Sequence, residues 1–223
     1  LRHATFWGNQ AVSLGHALRA NGSGSITVSD SVLVRGAASA GLCSVGSGSI
    51  GFSGANLIED GSCAGQTASS LDTIRLDPVL ANNGGATRTH ALLLGSAAID
   101  AGADCVGLPA DQRLFSRVVD GNLDSVAVCD IGAFELRPII VDTTADVTDN
   151  ADGLCSLREA IANANQDRRQ YASCLAGGGP DVIGFNSRMI GPALLAFGTE
   201  AQKAHFLPKI ANLDIWFCQG FSE

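Results

Sequence analysis

The chain has 223 residues and a formal net charge of −8, and 16% of its residues are charged. This net charge argues against nucleic acid or anionic lipid as a partner, because both would repel the protein. No apolar run is long enough to span a membrane, and abundant small residues with few aromatic ones predict short strands and tight turns, not a helical bundle.

Residues 1–76 are predicted to form stacked rungs of a β-solenoid. Residues 25–34 alternate polar and apolar side chains and then become continuously apolar between turn-forming pairs, which predicts one strand. Similar apolar stretches at 49–52 and 56–58 follow at a spacing of about two dozen residues, within the range of solenoid repeats. Because a rung buries its inward face only against its neighbours, an incomplete first rung predicts a truncated solenoid.

Residues 77–138 are rich in turn-forming sequences and contain strings that occur together in one protein family. The strings, with one from the preceding rung, are Gly54 to Cys63, Asn83 to Leu92, Ala98 to Gly102, Asp111 to Arg113 and Cys129 to Glu135. On these strings, residues 1–135 resemble secreted or cell-surface bacterial proteins with right-handed parallel β-helices. The resemblance implies β-helix rungs in 1–76 and a closing, choice-of-anchor-like module in 77–138.

This chain lacks three turn-forming residues that the β-helix family usually has. Ala97 and Ser116 stand where the family usually has Pro, and Leu114 stands where it usually has Gly. Since Pro and Gly favour turns, their absence predicts weaker chain reversals at these points.

Residues 139–187 are predicted to form a strand–helix–strand unit. Ser156 and Glu159 have the spacing of a capping box, which predicts a helix over 156–165 between strands at 139–146 and 181–185. The string Cys-Ser-Leu-Arg-Glu-Ala at 155–160 resembles the N-terminal cap signature of the same β-helix family, over residues 139–186. The resemblance implies a cap-like unit, placed here after the closing module.

Residues 188–223 are predicted to be helical. Thr199 and Gln202 form a second capping-box pattern, which predicts a helix over 199–207. The apolar face expected of this segment consists of Phe197, Phe206, Leu207 and Ile210.

This last segment resembles acyl-CoA dehydrogenases over residues 190–223. The resemblance implies that Gln219, Phe221 and Ser222 match positions next to the flavin, so FAD is the cofactor only under this reading. The similarity stops at Glu223, before the flavin-binding β-domain and the family's catalytic glutamate. We therefore expect an inactive fragment.

Seven cysteines lack any zinc-type spacing and are predicted to form disulfides. A disulfide that closes a loop of about twenty residues stabilises the fold by roughly 3 kcal/mol, which favours pairing each cysteine with the next one along the chain. The predicted pairs are Cys43 with Cys63, Cys105 with Cys129 and Cys155 with Cys174, which leaves Cys218 unpaired.

Several acidic residues and histidines are the candidates for chemistry. The acidic set is Asp100, Asp104, Asp111, Asp130 and Glu135, and the histidines are His3, His16, His90 and His205. Polysaccharide-active β-helix enzymes use such carboxylates in a groove. Turn positions and the neighbouring arginines, Arg88, Arg113 and Arg117, predict backbone capping and ion pairing instead. We predict no catalytic residue and no metal ligand.

The predicted fold class is mainly β: a truncated right-handed parallel β-helix followed by a small strand–helix–strand cap-like unit and terminal α-helices. The predicted function is a non-enzymatic extracellular or cell-surface β-helix fragment for adhesion or glycan binding, with surface glycans or the cell envelope as partners. The order of its segments predicts a chimeric sequence. Two alternatives are an FAD-dependent acyl-CoA dehydrogenase-like fragment, whose tail alone would indicate the cytoplasm, and a polysaccharide-active β-helix enzyme.

Overall fold

The computed structural model describes residues 1–12, 15–36, 40–145, 147–149, 151–166, 169–175, 181, 183–184 and 191–211. The chain divides into two compact units, Leu1–Arg137 and Pro138–Glu223.

The first unit contains short parallel strands. They are β1 Thr5–Trp7, β2 Leu18–Ala20, β3 Ser25–Ser29, β4 Val32–Val34, β5 Cys43–Val45, β6 Ser49–Ser53 and β7 Leu57–Ile58. These strands form three sheets with the orders β1-β4-β7, β2-β5 and β3-β6, and every pairing is parallel. Paired strands lie about 25 residues apart along the chain, as Leu18 opposite Cys43 shows. The alternating residues of each strand therefore repeat on the same face of the next one.

The interior of these sheets is apolar. The buried side chains that pack together there are Leu18, Val28, Leu33, Leu42, Ile58 and Cys63. Val28 and Leu33 are completely buried on consecutive strands. Each three- to five-residue strand is too short to form a core alone, so its burial depends on the strands stacked against it.

The prediction of one strand over 25–34 is wrong. Asp30 has a left-handed backbone with a φ of 48°, and it separates β3 from β4, which belong to different sheets. Its carboxylate accepts hydrogen bonds from the N–H groups of Ala55 (3.1 Å) and Ala103 (2.7 Å). Hydrophobic alternation carries no signal for such a corner, because the turn is set by backbone conformation and by caps that are distant in sequence.

Residues 59–137 contain little regular structure apart from helix α1, Leu71–Ile74. Isolated antiparallel bridges join Leu76 to Leu92, Ala81 to Thr89, Ala110 to Ser116, and Val119 to Val128. Side-chain caps on backbone groups hold much of this region, as the turn-forming sequences predict.

The described residues of the second unit form a small sheet and three helices. Strand β8, Ile139–Ile140, pairs in parallel with β9, Ile183–Gly184. The helices are α2 Leu157–Asn165, α3 Gly191–Phe197 and α4 Glu200–Ala211. Strand β8 is shorter than the strand predicted at 139–146. The strand predicted at 181–185 is seen at 183–184, and residues 182 and 185 lie outside the described part.

The capping boxes predicted for two helices are confirmed. In α2 the Ser156 hydroxyl accepts from the N–H of Glu159, whose carboxylate accepts from the N–H of Ser156. In α4 the Thr199 hydroxyl accepts from the N–H of Gln202, and the Gln202 side chain accepts from the N–H of Thr199. Helix α4 continues to Ala211, beyond the predicted end at 207.

Three disulfides are present among the described cysteines, and they are the three predicted pairs. The Cα atoms lie 4.9 Å apart in Cys43–Cys63, 5.7 Å in Cys105–Cys129 and 4.9 Å in Cys155–Cys174. Cys218 lies outside the described residues.

Candidate functional site

The buried carboxylates of the first unit form a network with two buried arginines. Asp111 lies at one end, where Arg113 Nη2 approaches its Oδ2 atom to 2.7 Å. The same carboxylate accepts from the N–H groups of Arg113, Phe115 and Glu135. The Arg113 guanidinium also stacks 3.7 Å from the centre of the Phe134 ring. Asp111 and Arg113 thus link the loop at 111–115 to residues 134 and 135.

Asp130 and Glu135 lie at the centre of the network. Asp130 Oδ1 accepts from the N–H of Asp100 (2.8 Å) and Oδ2 from that of Leu136 (2.6 Å). Glu135 Oε2 accepts from the N–H of Asp130 at 2.9 Å. Burial raises the pKa of Asp130 to about 7 and that of Glu135 to about 9; the charge of Asp100 further raises the pKa of Asp130, and the charge of Asp130 further raises that of Glu135. Glu135 is therefore the member that keeps a proton at neutral pH.

The remaining acidic candidates lie nearer the surface. Asp100 accepts from the N–H groups of Gly121 (3.1 Å) and Asn122 (2.7 Å), and burial raises its pKa. Asp104 is exposed and pairs with Arg2 at 2.7 Å. The predicted capping and ion pairing is thus confirmed, but the role expected of Arg88 is wrong. Arg88 is exposed and pairs with no described carboxylate, whereas Arg2 has that role for Asp104.

The histidines do not share a site. His90 stacks on Trp7 with ring centres 5.3 Å apart, and its Nδ1 lies 2.9 Å from the carbonyl oxygen of Asp77. His16 Nδ1 lies 3.0 Å from the carbonyl oxygen of Asn9, and His205 packs edge-on against Phe206. The structural role predicted for His90 is confirmed.

His3 differs from the other histidines because it is buried beside the acidic network. Its Nδ1 lies 3.0 Å from the carbonyl oxygen of Asp130, and its Nε2 lies 2.9 Å from that of Asp104. Arg117 Nη1 is 3.3 Å from the same Nδ1 atom. Sequence analysis missed this arrangement, since His3 and Arg117 are distant in the chain and share no motif.

A cleft of about 390 Å³ opens next to this network. Its lining includes Arg2, His3, Thr5, Asp111, Gln112 and Arg117. The cleft is lined by residues from both ends of the unit, Arg2 to Thr5 and Leu108 to Ala133, so no local sequence pattern could reveal it. No group of three or more metal-ligating side chains occurs in the described residues.

Comparison with known proteins places a family resemblance in the second unit. Residues 169–214 match the acyl-CoA dehydrogenase N-terminal domain. Acyl-CoA dehydrogenase IpdE1 of Mycobacterium tuberculosis is 44% identical over 45 residues, which are 20% of this chain and 12% of that protein. Its namesake from Mycolicibacterium smegmatis is 37% identical over 54 residues, which are 24% of this chain and 14% of that protein. This chain therefore spans only a small part of these relatives.

The family match overlaps two of the predicted segments. It begins at residue 169, inside the segment predicted to be cap-like, and it includes α3 and α4. Gln219, Phe221 and Ser222 lie outside both the matched and the described residues, so their predicted flavin contacts stay predictions. No solved structure matches the chain. The comparisons give no support for the β-helix, choice-of-anchor and cap resemblances, which also stay predictions.

Among the helices that the structure describes, none is both long and apolar enough to cross a membrane.

Proposed function

We propose that residues 1–137 act as a non-enzymatic, extracellular or cell-surface scaffold, built as a short right-handed parallel β-helix with a choice-of-anchor-like closing module. In-register parallel pairing at intervals of about 25 residues supports stacked rungs. Three disulfides support an oxidising compartment, since such bonds are rare in reducing cytosol. Adhesion or glycan binding at the cell envelope is the role that fits this setting.

The non-enzymatic proposal rests on one observation: the carboxylate oxygens already accept hydrogen bonds from backbone N–H groups. A glycosidase needs two carboxyl groups facing a substrate groove, one of them available as acid and the other as base or nucleophile. Here Asp111, Asp130 and Glu135 are buried, and their oxygens accept backbone N–H groups. Asp100 is the half-buried exception, and both of its oxygens also accept from backbone N–H groups.

An activity screen tests this proposal and its polysaccharide-active alternative together. The purified chain is incubated with acidic and neutral polysaccharides, and reducing ends and unsaturated products are measured. We expect no turnover by the wild-type chain. Turnover that Asp100→Asn abolishes while circular dichroism stays unchanged would establish the enzyme and refute the scaffold.

A second candidate function rests on residues 169–214. We propose that this segment is a helical fragment of the acyl-CoA dehydrogenase type, joined to the first unit in a chimeric sequence and inactive by itself. The similarity spans 12–14% of the curated relatives, which supports a fragment more than a complete FAD-dependent oxidoreductase. Sequencing single long DNA molecules across the codons for 135–195 would test whether the junctions are real.

Purification tests the enzymatic form of this second candidate. We expect a colourless protein that reduces no electron acceptor when acyl-CoA thioesters are added. Stoichiometric yellow flavin with acyl-CoA-dependent reduction would show that an active dehydrogenase is present.

A further inference from the structure

The cleft of the first unit is lined by Arg117, a buried arginine with one N–H donor group that has no acceptor among the described residues. The side chain of Arg117 is 3% exposed. Its Nη1 donates to the carbonyl oxygens of Gly132 (3.0 Å) and Asp130 (3.3 Å), and its Nε donates to that of Ala110 (3.5 Å). No described residue accepts a hydrogen bond from Nη2, and Arg117 lines the cleft. Nη2 is not among the buried atoms that lack a partner, so it keeps access to solvent through the cleft and is available to a ligand.

The charge of Arg117 is also poorly balanced. Its nearest carboxyl group, Glu135, is 3.8 Å away, at the outer limit of an ion pair. Burial raises the pKa of Glu135 to about 9, so this partner is largely uncharged at neutral pH. Asp130 supplies at most one negative charge nearby, with a pKa of about 7, and Asp111 is neutralised by Arg113.

A second guanidinium faces the same cleft from the N-terminal strand region. Arg2 is 40% exposed, and its bonds to Asp104 and Val106 all leave from Nη2. Its Nε and Nη1 atoms therefore have no acceptor among the described residues. The neutral polar residues Thr5 and Gln112 also line the cleft. The cleft thus combines two cationic donors with neutral polar groups.

We propose that this cleft binds the oxyanion group of a small acidic sugar between Arg117 and Arg2. A guanidinium N–H donates a charge-assisted hydrogen bond to a carboxylate or sulfate, and the neutral polar groups suit sugar hydroxyls. The volume of about 390 Å³ is near the lower end for ligand sites, which favours a single sugar unit. The proposal stands on the geometry of the first unit and does not depend on the scaffold role.

Titration calorimetry with matched ligands tests the charge requirement. The ligands are glucuronate, its uncharged methyl ester, glucose 6-sulfate and glucose. We expect glucuronate or glucose 6-sulfate to bind at least about tenfold more tightly than the ester and glucose, because a charge-assisted bond is lost in the neutral ligands. A preference for one acidic sugar identifies the oxyanion as carboxylate or sulfate. Equal binding of glucuronate and its ester, or no binding of any ligand, would overturn the proposal.

Variants locate the site. Arg2→Ala should weaken binding about threefold to tenfold, whereas Arg88→Ala removes the same charge from an exposed position outside the cleft and should leave binding unchanged. Arg117→Lys keeps the charge but loses the Nη2 donor, and should weaken binding at least about tenfold while circular dichroism stays unchanged. If Arg117→Lys unfolds, the comparison of Arg2→Ala with Arg88→Ala decides the location. Equal losses in those two variants would place the binding elsewhere.

Discussion

Leu114 has a left-handed backbone in an exposed turn. Its φ is 70°, its side chain is 81% exposed, and its N–H donates to the carbonyl oxygen of Asp111 at 3.0 Å. A Cβ atom in this conformation costs roughly 1–2 kcal/mol, and an exposed leucine regains little of it by packing. The glycine expected at this position in the resembling β-helix proteins would avoid that cost. Leu114 is therefore a residue at which the native sequence is locally unfavourable.

We expect Leu114→Gly to raise the free energy of unfolding by about 0.5–1 kcal/mol, since relief of the left-handed strain exceeds the added freedom of the unfolded chain. Urea unfolding followed by circular dichroism measures the change. Leu114→Ala keeps the Cβ atom and serves as the control, with an expected change near zero. A glycine variant no more stable than the alanine variant would show that this turn is unstrained.

Glu135 and Asp130 give the first unit a pH dependence of defined sign. Burial raises both pKa values in the folded state, from 4.5 to about 9 for Glu135 and from 3.8 to about 7 for Asp130. These two carboxyl groups thus bind more protons in the folded protein than in the unfolded chain between about pH 4 and 9. Their contribution to stability is fully present below about pH 4 and is lost as the pH rises through about 7 and 9.

We accordingly expect the denaturation midpoint to fall between pH 5 and pH 9 without a reducing agent. Glu135→Gln removes one titration and should flatten this slope, whereas Asp104→Asn changes an exposed carboxyl group and should leave it unchanged. Urea midpoints at several pH values provide the measurement. A wild-type chain that becomes more stable as the pH rises over this range would contradict the raised pKa values of Glu135 and Asp130.

Among the elements, the N-termini of helices α2 and α4 were the best predicted. Ser156 with Glu159 and Thr199 with Gln202 set two N-termini through bonds that span only three residues, so the local sequence contains the whole signal. The strands β3 and β4 were predicted as one, because the left-handed residue between them depends on caps from Ala55 and Ala103. Helix caps within three residues could be predicted from the sequence, but the corner at Asp30 between two sheets could not.

Ser156 gives a direct test of the α2 N-terminus. Its hydroxyl accepts from the N–H of Glu159 at 3.2 Å and donates to the carbonyl oxygen of Val147 at 2.6 Å. We expect Ser156→Ala to lower the free energy of unfolding by about 1–2 kcal/mol. Thr199→Ala removes the matching cap of exposed α4 and should cost less, about 0.5 kcal/mol. Equal urea midpoints for wild-type and Ser156→Ala would show that this cap is dispensable.

At the scale of the whole molecule, the candidate site was beyond sequence analysis. The predicted roles of Asp111, Arg113 and Asp130 followed from turn-forming sequences within residues 77–138. The cleft, however, is lined by both Arg2 and Arg117. Arg117 lies 114 positions after His3, the residue that follows Arg2. Only the folded first unit brings these segments together, and no motif encodes that approach.

The terminal segment provides a prediction about the whole chain. Leu195 is 59% exposed and Phe197 is 90% exposed on α3, so these apolar side chains gain little from burial. Short helices without such burial are marginal in water. We expect limited proteolysis to remove residues 187–223 before it cuts 80–135, as mass spectrometry of the fragments would show. Equal protection of both segments would indicate a co-adapted protein and contradict the chimeric reading.

The three disulfides have a consequence for how the chain matures. Six cysteines allow fifteen pairings, and the observed one joins each cysteine to the next along the chain. Every bond can therefore close as soon as its own loop emerges during synthesis or export, before later cysteines exist to compete. No early bond has to be broken to admit a distant partner. A thiol oxidase alone should suffice for correct pairing of these six cysteines, without the reshuffling that an isomerase provides.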